Sequence, residues 1–136
     1  MQNSSTFLAE RAKEQFRDCS RVLIFDESLA ILYSSFEVPQ SELSPLTKVF
    51  GDRDAAIRSG LAIDGKRYEV HRHHPPLVYG RSMTEEPEVS EGAAICKSEE
   101  GPTGCPTYTV ITYKMPHVSA RMVQLLRDFC STDLKQ

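Results

Sequence analysis

The sequence predicts one α+β domain in which helices flank an antiparallel sheet. Short apolar runs separated by turn residues recur from about residue 22 onward, as is typical of strands joined by tight connections. Amphipathic helical patterns lie near both ends of the chain. A chain of 136 residues is long enough to bury one core. We therefore expect residues 1–136 to form a single domain, without a linker or internal repeats.

Helical periodicity is clearest near the two ends. Ser4 or Ser5 can cap a first helix. Its apolar stripe recurs every fourth residue and consists of Leu8, Ala12 and Phe16. The stripe of the last helix consists of Val118, Met122, Leu125, Leu126 and Phe129. Both stripes should lie against a sheet.

A shorter helix is predicted between two groups of strands. Ser41 or Ser44 can cap it, and Pro45 suits its first turn. Gly51 ends it, and residues 55–58 should add one more helical turn.

Two turns predict hairpins. Residues 26–28 separate two apolar runs, and Asp64-Gly65 is a strong short-range hairpin signal. In the strand that follows, strict alternation places Tyr68, Val70 and Arg72 on one face and Arg67, Glu69 and His71 on the other. Arg67 should therefore point away from Arg72. Residues 84–91 and 98–106 are predicted to be solvated surface loops.

Charge and cysteine usage limit the classes of function. The net charge of −3 and the pI near 5.8 give no general attraction to nucleic acid. No apolar run approaches the roughly 20 residues that span a bilayer, and the polar N-terminus lacks a signal-peptide core. We expect a cytoplasmic protein whose cysteines are reduced and partly buried, with spacing that matches neither a zinc site nor a redox motif. These cysteines are Cys19, Cys96, Cys105 and Cys130.

The sequence carries no recognisable catalytic motif. His71, His73 and His74 cluster beside Arg72, but His71 and His73 should share a face that His74 opposes, and no third ligand is close. A solvated strand end explains this cluster, so we predict no metal, no cofactor and no enzymatic activity. An unrelated small α+β enzyme is the alternative, and it would require a pocket that holds a perturbed His or Cys.

The stretch from residue 60 to residue 81 is the most specific pattern in the chain. Its motifs are Gly60-Leu61, Gly65-Lys66-Arg67-Tyr68, Val70-His71-Arg72 and Val78-Tyr79-Gly80-Arg81. These motifs resemble the central block of profilins. Weaker matches in the same order extend the resemblance from about residue 20 to the C-terminus, at residues 22–26, 29–33, 36, 46–50, 91–98 and 108–113. The resemblance implies a profilin-like central antiparallel sheet flanked by N- and C-terminal helices.

The resemblance also implies binding of monomeric actin. Family members use the central strands and the start of the last helix for this purpose. The matching positions are Arg67, Arg72, Arg81, Lys97, His117, Ser119 and Arg121. Val118 and Arg121 replace a Gly and an Asn of many profilins, and Ser82-Met83 follows Arg81 where many members have a second basic residue. These departures predict weaker actin binding than in ordinary profilins.

Binding of proline-rich ligands should be lost. Profilins stack such ligands on an aromatic floor that usually contains two tryptophans, and this chain has none. The aligned positions are Asn3 and Ala30. The nearby aromatic residues are Phe7, Tyr33 and Phe129, of which Phe7 and Phe129 fit helical core stripes. In this respect the chain resembles the tryptophan-poor profilins of animal germ-line tissue.

A third implied property is recognition of anionic phosphoinositide head groups. The main candidates are Arg72, Arg81, Lys97 and Arg121, which Arg67, Lys114, His73 and His74 could supplement. Dispersed surface charge explains the same residues equally well.

Taken together, the resemblance predicts an actin-monomer-binding protein that regulates filament assembly on the cytoskeleton. The alternative is a profilin-fold adaptor that binds phosphoinositides or another protein without binding actin.

Overall fold

The computed structural model describes residues 4–82, 89–114 and 117–133, with side chains from residue 7 to residue 132 within those ranges. The helices are α1 (Ser4–Gln15), α2 (Leu43–Thr47), α3 (Arg53–Ser59) and α4 (Ser119–Asp128). The strands are β1 (Arg21–Asp26), β2 (Ile31–Ser34), β3 (Leu61–Ile63), β4 (Lys66–His74), β5 (Leu77–Ser82), β6 (Glu91–Ser98) and β7 (Thr107–Lys114). Short 3-10 turns flank α2 at Gln40–Glu42 and Lys48–Phe50, and a π-helical turn at Phe129–Asp133 follows α4. The predicted α+β class is confirmed.

The strands of the described part form one sheet in the order β2-β1-β7-β6-β5-β4-β3, and all neighbours are antiparallel. Both predicted hairpins are present. Asp26 Oδ1 accepts hydrogen bonds from the backbone N–H groups of Ser28 and Ala30 and closes the β1–β2 turn. Asp64 and Gly65 adopt φ values of 53° and 76°, the left-handed pair that a tight two-residue hairpin requires.

One sheet face, here called the α1/α4 face, is covered by the N- and C-terminal helices. Buried strand residues on this face are Val22, Ile24, Ala94, Cys96, Ile111 and Tyr113. The helices contribute the predicted stripes, and the rings of Phe16 and Phe129 lie 4.9 Å apart. Val118 differs from its prediction because it precedes α4 and is 50% exposed. The predicted caps Ser4 and Ser5 have side chains outside the described residues.

The opposite face, the α2/α3 face, packs against the two central helices. Its buried strand residues include Leu23, Phe25, Tyr68, Val70, Val78, Ile95, Tyr108 and Val110. Asp52 caps α3 through a 2.9 Å hydrogen bond from the Ala55 N–H. The prediction that Ser41 or Ser44 caps α2 is wrong, because the preceding 3-10 turn runs directly into α2 and the cap position is Glu42.

Glu91 is the buried charge on which several strands converge. Its carboxylate accepts from Tyr68 Oη at 2.8 Å, from Arg21 at 3.1 Å and from Lys66 at 3.1 Å, and Lys114 Nζ lies 3.6 Å away. Its side chain is only 3% exposed. Residues 84–88 of the predicted loop 84–91 lie outside the described residues, but placing Glu91 in a solvated loop is wrong. It is the first residue of β6, and its partners come from β1, β4 and β7.

We predict that Glu91→Gln lowers the free energy of unfolding by about 2 kcal/mol near neutral pH, because it leaves cations beside a neutral group. Burial alone would raise the pKa of Glu91, but the hydrogen bonds from Tyr68 and Lys66 and the charges of Lys66 and Arg21 hold it below its ordinary value of 4.5. A group with a lowered pKa contributes stability above its unfolded value and loses it as the pH falls through the folded value. The difference between wild type and variant should therefore shrink below pH 4.5.

Urea unfolding followed by far-UV circular dichroism at several pH values measures this difference. Glu100→Gln is the matched control, because Glu100 is exposed and the substitution removes the same charge. A penalty that stays constant with pH would contradict the role given to the ionised carboxylate.

Candidate functional site

The strands β4 and β5 change their pairing register in the middle of the hairpin that they form. Val70 pairs with Gly80 and Arg72 pairs with Tyr79, so His71 is an extra residue opposite the partner strand. Val70 packs on the α2/α3 face, whereas Tyr79 packs on the α1/α4 face. Because paired residues share a face, Arg72 lies on the α1/α4 face.

This bulge corrects the prediction for the arginines. Glu69 pairs with Arg81, and Arg81 follows Tyr79 by two residues along β5, so both lie on the same face as Tyr79. Arg67 shares that face because it is two residues from Glu69. The prediction that Arg67 points away from Arg72 is wrong, since strict alternation does not hold across a bulge.

Gly80 makes this register possible. A Cβ atom at residue 80 would lie 1.6 Å from the carbonyl oxygen of Glu69 and 3.1 Å from the backbone nitrogen of His71. The two backbones thus approach each other more closely at the bulge than any side chain allows.

We define Arg67, Arg72 and Arg81 as the arginine surface. Their guanidinium groups differ in the intramolecular contacts that hold them. Arg67 donates to the carbonyl oxygens of Ser59 at 2.8 Å and Arg58 at 3.1 Å, so it also holds the end of α3. Arg81 donates to Ser90 Oγ at 3.2 Å and is partly buried. Arg72 is exposed and has no hydrogen bond or ion pair within the described ranges. Its guanidinium is therefore the most available to a partner.

Two predicted residues lie elsewhere. Lys97 pairs with Tyr108 across β6 and β7, and its Nζ lies 5.9 Å from the Tyr108 ring centroid on the α2/α3 face. Arg121 points to the flank of α4 that faces the end of α1, where it bonds to Asp18 at 2.9 Å and holds the pKa of that carboxyl below its usual value. The four predicted head-group ligands therefore do not form one anion site, and Lys114 is occupied by Glu91.

The start of α4 lies beside the sheet as predicted. Tyr113 donates a 2.8 Å hydrogen bond to Ser119 Oγ, and His117 Nδ1 lies 3.3 Å from the Arg121 guanidinium. Both residues are half-buried and make intramolecular contacts, so neither is as free as Arg72.

The sequence-based set misses the other flank of α4. Val123 and Arg127 on that flank line a cleft of about 1090 Å³ together with Leu77 and Tyr79 of β5. Val123 and Arg127 are four residues apart, which places them on the same side of a helix. This spacing is the feature of the sequence that could have indicated that they lie together. Which side of α4 would face β5 depends on packing and could not be inferred from spacing.

The histidine cluster does not assemble a site. His73 Nε2 donates to the Val49 carbonyl at 2.8 Å on the α2/α3 face, and His74 pairs with Leu77 on the other face. The predicted opposition of His73 and His74 is confirmed, but the bulge at His71 removes the strict alternation from which His71 and His73 were predicted to share a face. Within residues 4–82, 89–114 and 117–133, no group of three or more His, Cys, Asp or Glu side chains could hold a metal ion. No helix in these ranges is long and apolar enough to cross a membrane.

Comparison with known proteins gives matches at the level of structure. No protein-family model and no curated protein sequence matches the chain. Acanthamoeba castellanii profilin IB superposes with a TM-score of 0.75 at 14% identity, over 98% of each chain. Human profilin II superposes with a TM-score of 0.72 at 11% identity, over 95% of this chain and 99% of that one. This chain has the profilin fold. LokiProfilin2, solved in complex with rabbit actin, also matches, with a TM-score of 0.70 at 11% identity over 99% of this chain and 98% of that one.

The residues predicted at the proline-rich site differ in exposure. Phe129 is fully buried, as predicted, but Phe7 is 44% exposed. The core prediction for Phe7 is wrong because Leu8, Ala12 and Phe16 define the buried stripe, and Phe7 is rotated about 100° from Leu8. Ala30 is an exposed turn residue before β2, and Tyr33 packs partly against the core. Asn3 lies outside the described residues.

We predict that Gly80→Ala lowers the free energy of unfolding by about 2 kcal/mol or more, because the added methyl group collides with the Glu69 backbone. Urea unfolding measures this loss. His71→Ala is the control, since His71 is exposed at the same bulge and its truncation should change stability by less than about 0.5 kcal/mol. If Gly80→Ala changed stability as little as His71→Ala does, the close approach of the two backbones would not be what holds the β4–β5 pairing register.

We also predict no saturable binding of polyproline up to about 1 mM, because two stacking residues are missing and each is worth roughly 2 kcal/mol. Titration followed by tyrosine fluorescence tests this, since the chain lacks tryptophan. Ala30→Trp is the companion variant, and it should strengthen any residual binding by restoring one exposed ring. Saturation of the wild type at micromolar peptide would refute the prediction.

Proposed function

We propose that this protein binds monomeric actin and thereby regulates filament assembly. The binding surface consists of the arginine surface on β4 and β5 and the neighbouring flank of α4 with Val123 and Arg127. The observation that carries this proposal is the bulge at His71, which brings Arg72 to the same face as Arg67 and Arg81.

Charge and exposure support this surface. Guanidinium groups steer an acidic partner and form charge-assisted hydrogen bonds with its carboxylates. Arg72 is exposed and can do so without breaking an internal contact. Tyr79 and Val123 supply partly exposed or cleft-lining apolar surface beside it. LokiProfilin2, which has the same fold, was solved in complex with rabbit actin.

The proposed activity is non-enzymatic and needs no cofactor. It assigns the protein to the cytoplasm and the actin cytoskeleton, where its partner is found. Binding should be weaker than in ordinary profilins, because Val118 is bulky and exposed at the start of α4 and Arg121 is held by Asp18.

The alternative of a phosphoinositide-binding adaptor has less support. Of its four predicted ligands, Lys97 lies on the α2/α3 face and Arg121 on the far flank of α4, so only Arg72 and Arg81 remain together. Two arginines beside the Glu69 carboxylate form a weak anion site.

A pyrene-actin assembly assay tests the proposal. Increasing amounts of the wild-type protein should slow spontaneous nucleation. Arg72→Glu should weaken the apparent affinity about tenfold, because it reverses a free charge within the surface. An Arg72→Glu, Arg81→Glu double variant should abolish the effect.

The matched control is Arg53→Glu, which reverses the same charge at an exposed position on α3, on the other side of the sheet. It should slow nucleation as the wild type does. An unchanged nucleation rate at the highest soluble concentration of wild type would refute actin binding, and equal losses in Arg53→Glu and Arg72→Glu would refute the proposed surface.

A further inference from the structure

The cleft beside α4 has an apolar floor. Leu77 and Tyr79 of β5 are only partly buried in the core, and they line the cleft together with Val123 of α4. The backbone of β5 beneath them is paired with β6, so its hydrogen-bonding groups are already used in the sheet. The volume of about 1090 Å³ is close to the upper end of the roughly 300–1,000 Å³ that small-molecule sites span. The floor therefore favours the hydrocarbon part of a small molecule.

Hydrogen bonds hold the walls of the cleft in place. Ser98 Oγ donates to the Cys130 carbonyl at 3.3 Å, which fastens the turn after α4 to β6. The Lys97 N–H donates to the Pro76 carbonyl at 2.8 Å, which fastens the β4–β5 turn to the same strand. Walls that are already fixed by internal bonds need little further ordering when a ligand binds, so more of the binding free energy is retained.

Arg127 is a cation of this cleft that is available to a ligand. It is exposed and makes no hydrogen bond or ion pair with any residue that the structure describes. The carboxylate next to it on α4, that of Asp128, accepts a 2.9 Å hydrogen bond from Gln124. Lys97, which also lines the cleft, is ion-paired with Glu99 at 3.8 Å. An anion could therefore form charge-assisted hydrogen bonds with Arg127 without displacing an internal partner.

Acidic side chains at the end of β6 limit the charge of that anion. Glu99 and Glu100 are exposed, and both line the cleft. Lys97 offsets the charge of Glu99, but Glu100 would repel a head group that carries two or more negative charges. A single carboxylate therefore suits the cleft better than a phosphate group does.

We propose that this cleft binds a fatty acid, with its carboxylate on Arg127 and its hydrocarbon chain on the floor formed by Leu77, Tyr79 and Val123. The combination of an apolar floor, fixed walls and an available guanidinium carries this proposal. It does not depend on actin binding, and its test needs only this protein and the ligand.

Dodecanoate below its critical micelle concentration is the probe. Isothermal titration calorimetry with the full chain should show saturable one-to-one binding. Dodecyltrimethylammonium has the same chain and the opposite charge, and it should bind about tenfold more weakly because Arg127 repels it. Shortening the carboxylate to octanoate should weaken binding about two- to fourfold for each CH₂ group that no longer covers the floor.

Arg127→Gln should weaken dodecanoate binding about tenfold, because it removes the charge from the hydrogen-bonding partner of the carboxylate. Arg53→Gln is the matched control, since it removes the same charge at an exposed position of α3 on the other side of the sheet, and it should bind as the wild type does. Far-UV circular dichroism checks that each variant is folded. In ¹H–¹⁵N NMR spectra, dodecanoate should shift the amide signals of β5, the end of β6 and α4.

Any of three results would overturn the proposal. The first is no saturable binding of dodecanoate up to about 1 mM. The second is equal affinity of the wild type and Arg127→Gln, or equal affinity of the wild type for the anionic and cationic probes, because either would show that the guanidinium does not hold the ligand. The third is a set of NMR shifts centred on the α2/α3 face, which would place the ligand outside the cleft.

Discussion

The close backbone contact between Gly80 and Glu69 is the constraint on which the candidate surface depends. It allows β4 to carry one residue more than β5 across the bulge. Before the bulge, Tyr68 and Val70 lie in the core of the α2/α3 face. After it, Arg72 lies on the other face. Gly80 therefore allows β4 to have buried apolar side chains on one face before the bulge and an exposed arginine on the opposite face after it.

The Glu91 network holds the same strands from the α2/α3 face. A buried carboxylate is tolerable only when its partners offset the cost of removing it from water, and here a tyrosine hydroxyl and three cations do so. Because these partners come from β1, β4 and β7, the network fixes the relative positions of strands that are distant in sequence. The carboxylate of Glu42 adds to this arrangement, since it accepts two 2.7 Å hydrogen bonds from the β3–β4 turn. The strands that carry the arginine surface are therefore held in fixed positions relative to their neighbours.

The helix α4 divides the α1/α4 face into two regions with different chemistry. On the flank toward α1, Arg121 is held by Asp18 and Gln15 donates to the Leu125 carbonyl, so this flank is committed to internal contacts. On the flank toward β5, Val123 and Arg127 border an open cleft above the Cys96 and Cys130 thiols. The proposed binding surface and the cleft therefore share one helix.

The sequence by itself determined the elements whose signals are local. Helical periodicity located α1 and α4, and the residues of the Asp26 and Asp64-Gly65 turns fixed two hairpins, because such patterns follow from the geometry of neighbouring residues. Tertiary structure decided the rest. The direction of Arg72 depends on a register shift, and the burial of Glu91 depends on partners up to 70 residues away. The cleft that Cys96 and Cys130 line depends on how a terminal turn meets a strand. These features arise from pairing between distant segments, which no local pattern encodes.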